Sequence, residues 1–188
     1  MHKETTQVAD TCDATVIRGA GHSEMTSISG YYTVTCYGAD GAVKWSDDIH
    51  NLVTTVGKNL TMDTVLGNSA AGAVVMGLKG TGTAAVGDTQ ASHATWDEVG
   101  GTNAPTYSGN RQTPTFGAAT GGAKATSTPV IFSMTGSGTV VGCFINIGGS
   151  ATKDDTTGTL FSAGDFTAGS KTVTNGDTLS ITYTATAA

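Results

Sequence analysis

The chain has 188 residues, enough for one sizeable domain that buries a core without metal or disulfide help, and too few for a second independent one. Its net charge is −6 and its nine basic residues are scattered, which excludes nucleic-acid backbones and anionic membranes as partners, since both demand clustered lysine and arginine. Charged residues make up only 13% while glycine reaches 27 and threonine is commoner still, a composition suited to pleated strands joined by tight turns. Few charges also means little to desolvate when large areas are covered by other protein.

Residues 1–27 are polar and aperiodic and read as an arm, either disordered in isolation or laid over a neighbouring subunit on which it orders, ahead of a domain at 28–188. The stretch Met1 to Gly30 lacks the apolar core of a signal peptide. No run of about 18 apolar residues occurs either, so the chain is expected in the cytoplasm until it assembles. Ile28 to Cys36 alternates as a strand, with Tyr31, Tyr32, Val34 and Tyr37 adding strand chemistry, and Ala39-Asp40-Gly41-Ala42 turns it back into Val43-Lys44-Trp45.

Ile49 to Leu66, IHNLVTTVGKNLTMDTVL, is the one segment with helical periodicity. Apolar residues at Ile49, Leu52, Val53, Val56 and Leu60, continued by Val65 and Leu66, predict a buried stripe on a helix over 49–66. Ser46, Asp47 and Asp48 would cap its start, and Gly67-Asn68 would stop it. Ala73 to Leu78 then reads as a central strand, and Thr89 to Trp96 as a short helical turn running into Trp96-Asp97-Glu98-Val99. Pro105 and Pro114 mark turns, and Thr115 to Ala118 a strand start.

Val130–Met134, Thr139–Ile147, Gly158–Ser162 and Thr178–Thr184 supply four further strands. In the last of these Leu179, Ile181 and Tyr183 alternate with Ser180, Thr182 and Thr184, so it should be half buried. Asn175-Gly176-Asp177 signals a turn before it, with Lys171-Thr172-Val173 as its hairpin partner. The expected fold is mainly β: an antiparallel β-sandwich, jelly-roll-like, with one docked amphipathic helix and an extended N-terminal arm.

Chemistry is harder to find. His93 to Glu98, HATWDE, is the densest set of functional side chains, and His93, Asp97 and Glu98 would be its ligands or acid–base pair. Their spacing matches neither zinc nor calcium sites, so they read as polar loop residues beside a buried Trp96. His22 and His50 have no sequence-local partner. Gly80-Thr81-Gly82 lacks the third glycine and the helix of a dinucleotide loop, and no Walker or GxSxG motif occurs. Cys12, Cys36 and Cys143 show no CxxC spacing and read as small buried thiols. Asn59-Leu60-Thr61 matches a glycosylation sequon by chance, on a helix. Trp45, Trp96 and Tyr107 could line a sugar cleft but are better assigned to core or interface filling. The expectation is no catalytic, cofactor-binding or metal-binding residue, no cofactor and no enzyme.

Several stretches, read together, resemble a family of tailed-bacteriophage virion structural proteins. They are Val43 to Asn59, Met76-Gly77-Leu78, Asp88-Thr89 with Ser92 to Glu98, Ala104 to Tyr107 with Asn110-Arg111, Gly158 to Gly164, and Asn175 to Leu179. The resemblance spans roughly residues 30 to 184 and implies a non-enzymatic particle component. On that footing the chain is expected to be a capsid decoration or cement protein on the outer surface of the virion. Its partners would be the major capsid protein and further copies of itself, as a homotrimer or homodimer. The alternative is a tail or head fibre component presenting a receptor- or glycan-binding face, although fibre shafts usually carry repeats and none is visible.

Overall fold

The structure is a computed structural model and describes residues 27–68 and 70–187. The arm expected at 1–27 therefore lies outside the described residues except for Ser27. In chain order β1 (Ile28–Tyr37), β2 (Val43–His50) and the short β3 (Leu52–Val53) lead into one helix, α1 (Thr55–Val65). Then come β4 (Val74–Gly82), β5 (Trp96–Val99), β6 (Ala123–Ala125), β7 (Val130–Ser133), β8 (Gly138–Val140) and β9 (Gly142–Ile147). β10 (Thr159–Asp165), β11 (Lys171–Val173) and β12 (Thr178–Ala187) follow.

These strands form an antiparallel β-sandwich. One five-stranded sheet runs β2-β1-β12-β6, with β7 also on β12, and the other runs β3-β10-β9-β4-β5. β1 and β12 pair along their whole length, from Ile28 opposite Ala187 to Tyr37 opposite Thr178. This register places Tyr32 beside Tyr183, Val34 beside Ile181 and Cys36 beside Leu179 on the inward face. Met76, Leu78, Cys143 and Ile145 of the other sheet meet them, and none of the ten is more than 2% exposed. Burying side chains of this size contributes about 1.5–3 kcal/mol each. The alternation expected for Leu179, Ile181 and Tyr183 is thus borne out, as is the β1–β2 turn, where Gly38 N donates to Ala42 O at 2.8 Å and Gly41 takes φ +78°.

The helix is shorter than its periodicity suggested. Ile49 lies in β2 opposite Tyr32, and Val53 lies in β3 opposite Ser162 of β10, so both are buried through sheet pairing rather than on a helical stripe. Thr54, not the Ser46–Asp48 acidic run, caps α1: its Oγ1 accepts from Gly57 N at 3.0 Å while donating to Leu160 O. The stop was legible, since Gly67 takes φ +82° and Asn68 N donates to Asp63 O at 2.8 Å. The face α1 buries is its glycine. A Cβ on Gly57 would stand 2.3 Å from the carbonyl oxygen of Phe161, so the helix backbone lies directly on β10. Val65 and Leu66, expected in the stripe, are 73% and 75% exposed, and Met62 is 56% exposed.

Other differences follow from pairing. Lys171–Val173 forms β11 against β8, not a hairpin with β12; the turn before β12 survives, with Asp177 N donating to Thr174 O at 3.0 Å. Thr139 to Ile147 divides at Val141 into β8 and β9, because Val141 N donates to Lys79 O while β8 leaves to join β11. Thr115 to Ala118 supplies a single bridge, Phe116 to Thr126, rather than a strand. Thr89 and Ser92 exchange backbone hydrogen bonds in a tight turn, where a helical turn was expected.

Replacing Gly57 by alanine should therefore destabilise the protein by about 1–3 kcal/mol, the cost of overpacking, despite the better helix propensity of alanine. Urea unfolding checks this, with Leu66→Ser as an exposed control that leaves the midpoint unchanged. A Gly57→Ala variant more stable than the parent would show that α1 does not sit on β10.

Candidate functional site

The HATWDE segment lies on the outer side of the second sheet. β5 pairs with β4 so that Glu98 stands opposite Lys79 and Trp96 opposite Gly82. Trp96 is buried with Phe144, Leu160 and Ala163 in a second, smaller apolar cluster, and its Nε1 donates to Asp88 Oδ2 at 2.9 Å. Two buried cations cover that cluster. The Arg111 guanidinium lies 5.4 Å from the Phe144 ring centre, and Lys79 Nζ lies 5.7 Å from that of Trp96.

Each cation is paired. Arg111 donates from Nε and Nη2 to the two oxygens of Glu98 at 2.9 and 2.6 Å, a bidentate geometry with both side chains almost wholly buried. The same guanidinium donates to Ser150 O at 3.1 Å and Asp155 O at 2.7 Å. Lys79 Nζ lies 2.8 Å from Asp165 Oδ1 and donates to Gly82 O. Neither partnership could be read from local spacing. In the sequence Arg111 belongs only to the Asn110-Arg111 step of the family resemblance, and Lys79 directly follows the apolar run that ends at Leu78. Pairing across the sheet brings them together: Lys79 of β4 and Asp165 of β10 both stand opposite Gly142 of β9, and the Met76–Gln112 bridge carries Arg111 alongside β4.

Of the residues picked out by sequence, Glu98 is thus bound to Arg111. Asp97 is exposed, with Oδ2 accepting from Thr81 at 3.3 Å. His93 stacks on Trp96 with ring centres 3.9 Å apart, and its Nδ1 lies 3.0 Å from Trp96 O. They border one polar pocket with Gln90, Asn103, Asp154, Asp155 and Thr156, but no group of three or more His, Cys, Asp or Glu with metal-binding geometry occurs among the described residues. The loop facing β5 is tied to it: Asp154 N donates to Glu98 Oε2 at 3.1 Å, and Asp154 Oδ2 accepts from both Thr102 N and Oγ1 at 2.7 Å. Thr157, through its hydroxyl and amide, holds the Asp155 carboxyl below the usual carboxylate range. Lys153 spends its ammonium on the carbonyls of Gly100 and Tyr107, and burial lowers its pKa.

The thiols expected to be buried are so where described. Cys36 is pushed up to about 11 by burial, with the Asp177 carboxylate adding to the shift, and burial raises Cys143 further. Neither has a thiolate to offer as a nucleophile at neutral pH. Cys12 lies outside the described residues, as does His22. Tyr107 packs edge-on to Phe132 in the main core, and Trp45 packs edge-on to Phe166 with Nε1 donating to Thr172 O, so these aromatics fill space between elements. Comparisons with protein-family models, curated proteins and solved structures found no match to this chain.

Cutting Arg111 to leucine should leave Glu98 buried without its partner and cost about 3–5 kcal/mol, whereas replacing both Glu98 and Arg111 by leucine should recover a substantial part of that loss. Chemical denaturation of the two variants measures the difference. A double variant as unstable as the single one would mean that the pair's charge balance is not what holds the loop at 150–157.

Proposed function

We propose that this protein is a structural component of a tailed-bacteriophage particle, a capsid decoration protein that binds the assembled major capsid shell and stabilises it. The observation that carries the reading is the exposed C-terminal end of the helix: α1 rests on β10 through Gly57, half buries Val56 and Leu60, and presents Met62, Val65 and Leu66 outward. A helix serving only its own core keeps its large apolar residues inward along its whole length. Apolar groups grouped on one face favour a protein partner. The low charge content and the family resemblance of the segments quoted above support the same reading.

Such a protein works by mass action. It stabilises the shell only insofar as it binds the assembled form and not the free subunit, and contacts repeated over a symmetric lattice multiply a modest affinity per site. No bond is made or broken in this role. The buried Glu98–Arg111 pair and the half-buried Lys79–Asp165 pair then serve to fix loops in place.

Quantifying the protein in purified particles against the major capsid protein tests the assignment. A decoration protein is expected in a simple stoichiometric ratio to the shell subunit, and Leu66→Asp should reduce its incorporation while leaving the isolated domain folded. A copy number matching a single tail or neck ring, or absence from particles, would overturn it.

A further inference from the structure

Two apolar hollows open at one end of the sandwich. One, of about 400 Å³, begins at Ile28, and the other, of about 210 Å³, is walled by Val74 and Ile147; Phe161, Ala185 and Lys124 border both. They follow from the sequence of the central ladder. The inward side chains of β12 run Leu179, Ile181, Tyr183 and then shrink to Ala185 and Ala187, so the last rungs supply little volume to the space between the sheets. On the facing sheet Val74, Ile147 and Phe161 stay large, and all three pack on the main core yet remain only partly buried. Covering such surface removes it from water and is favourable in proportion to its area.

The chain itself arrives at this end. Ile28 is the first residue of β1 and borders the larger hollow, so the 26 residues ahead of Ser27 connect to the molecule at its mouth. Those residues contain one pair of adjacent large apolar side chains, Val16-Ile17, in the run Ala14-Thr15-Val16-Ile17. Ile17 is ten residues from Ser27, a connection that spans up to about 33–36 Å when extended and so reaches hollows that begin at Ile28. Charge agrees with this placement. Lys124 is the one charged side chain bordering the two hollows among the described residues, and Asp13 stands directly ahead of the apolar run.

We propose that Val16 and Ile17 seat in the two hollows of their own domain and close the open end of its core, with Asp13 toward Lys124. A tether this short holds the segment at an effective concentration on the order of millimolar, which favours it over the same segment of a second copy in dilute solution. The opposing term is the conformational entropy of the connecting residues, which the buried apolar surface must outweigh. The inference is independent of the particle assignment, because it leaves Met62, Val65 and Leu66 of α1 facing outward.

The test is NOE spectroscopy on the full-length, methyl-labelled protein. Contacts from the Val16 and Ile17 methyls to the Phe161 ring and the Ala185 methyl are expected. Changing Val16→Asp and Ile17→Asp together should lower the unfolding midpoint and shift the methyl resonances of Val74 and Ile147, while those of Val34 and Leu179 in the middle of the core stay in place. Ala185→Leu, which fills the space from β12, should displace the segment and abolish the same contacts. The proposal is overturned if the Val16 and Ile17 methyls make no contact with these residues, or if the double aspartate variant leaves Val74 and Ile147 unmoved. It is equally overturned if Ala185→Leu keeps the contacts, or if they arise only between labelled and unlabelled chains in a mixed sample, which would give the hollows to the segment of a second copy.

Discussion

The ladder between the first and last described strands is the constraint on which the sandwich depends. Ten residues of β1 face ten of β12, and Tyr32, Val34 and Cys36 pair across it with Tyr183, Ile181 and Leu179. A slip of one residue would turn each inward set of side chains to solvent, so the register is fixed by the same groups that make the core. β12 also carries β6 and β7 on its other edge, and β1 carries β2, so every strand of that sheet is placed by this one pairing. Contacts so distant in sequence cost much loop-closure entropy before they are rewarded, which makes the ladder a late and cooperative product of folding.

The second sheet solves a different problem. Its inner face joins the main core, but its outer face carries Trp96, Phe144, Leu160 and Ala163, which no third layer of strands covers among the described residues. Lys79 and Arg111 close that gap by laying their charged ends over the aromatic rings, each neutralised by a carboxylate. Charge burial of this kind does little for net stability but is unforgiving of a missing partner, so it fixes where the loops run. The 150–157 loop is held by the same arrangement, with Asp154 N donating to Glu98 and the buried Gln90 amide donating to Asp155 O.

Strands with clear alternation and a marked turn were legible from sequence, because a period of two between β-branched and polar residues has one physical reading. β1 and β12 are examples, down to the inward set of Leu179, Ile181 and Tyr183. The helix misled for an equally physical reason. Ile49 and Val53 are buried four residues apart in two successive strands belonging to different sheets, which mimics one helical turn. Within α1 the contact is made by Gly57, a residue that periodicity counts as a defect. The site was less legible still. Glu98 and His93 were visible as residues, but the partner of Glu98 is set by the Met76–Gln112 bridge and the packing of the 150–157 loop, neither of which local spacing encodes.

Native-state hydrogen exchange tests the central claim, that the β1–β12 ladder holds the sandwich together, most directly. The account predicts that amides in the middle of β1 and β12 exchange only through global unfolding and are the slowest in the molecule, with α1 and the loop at 150–157 opening at lower free energy. Exchange of the β1 amides through a local opening that leaves β9 and β10 protected would contradict it.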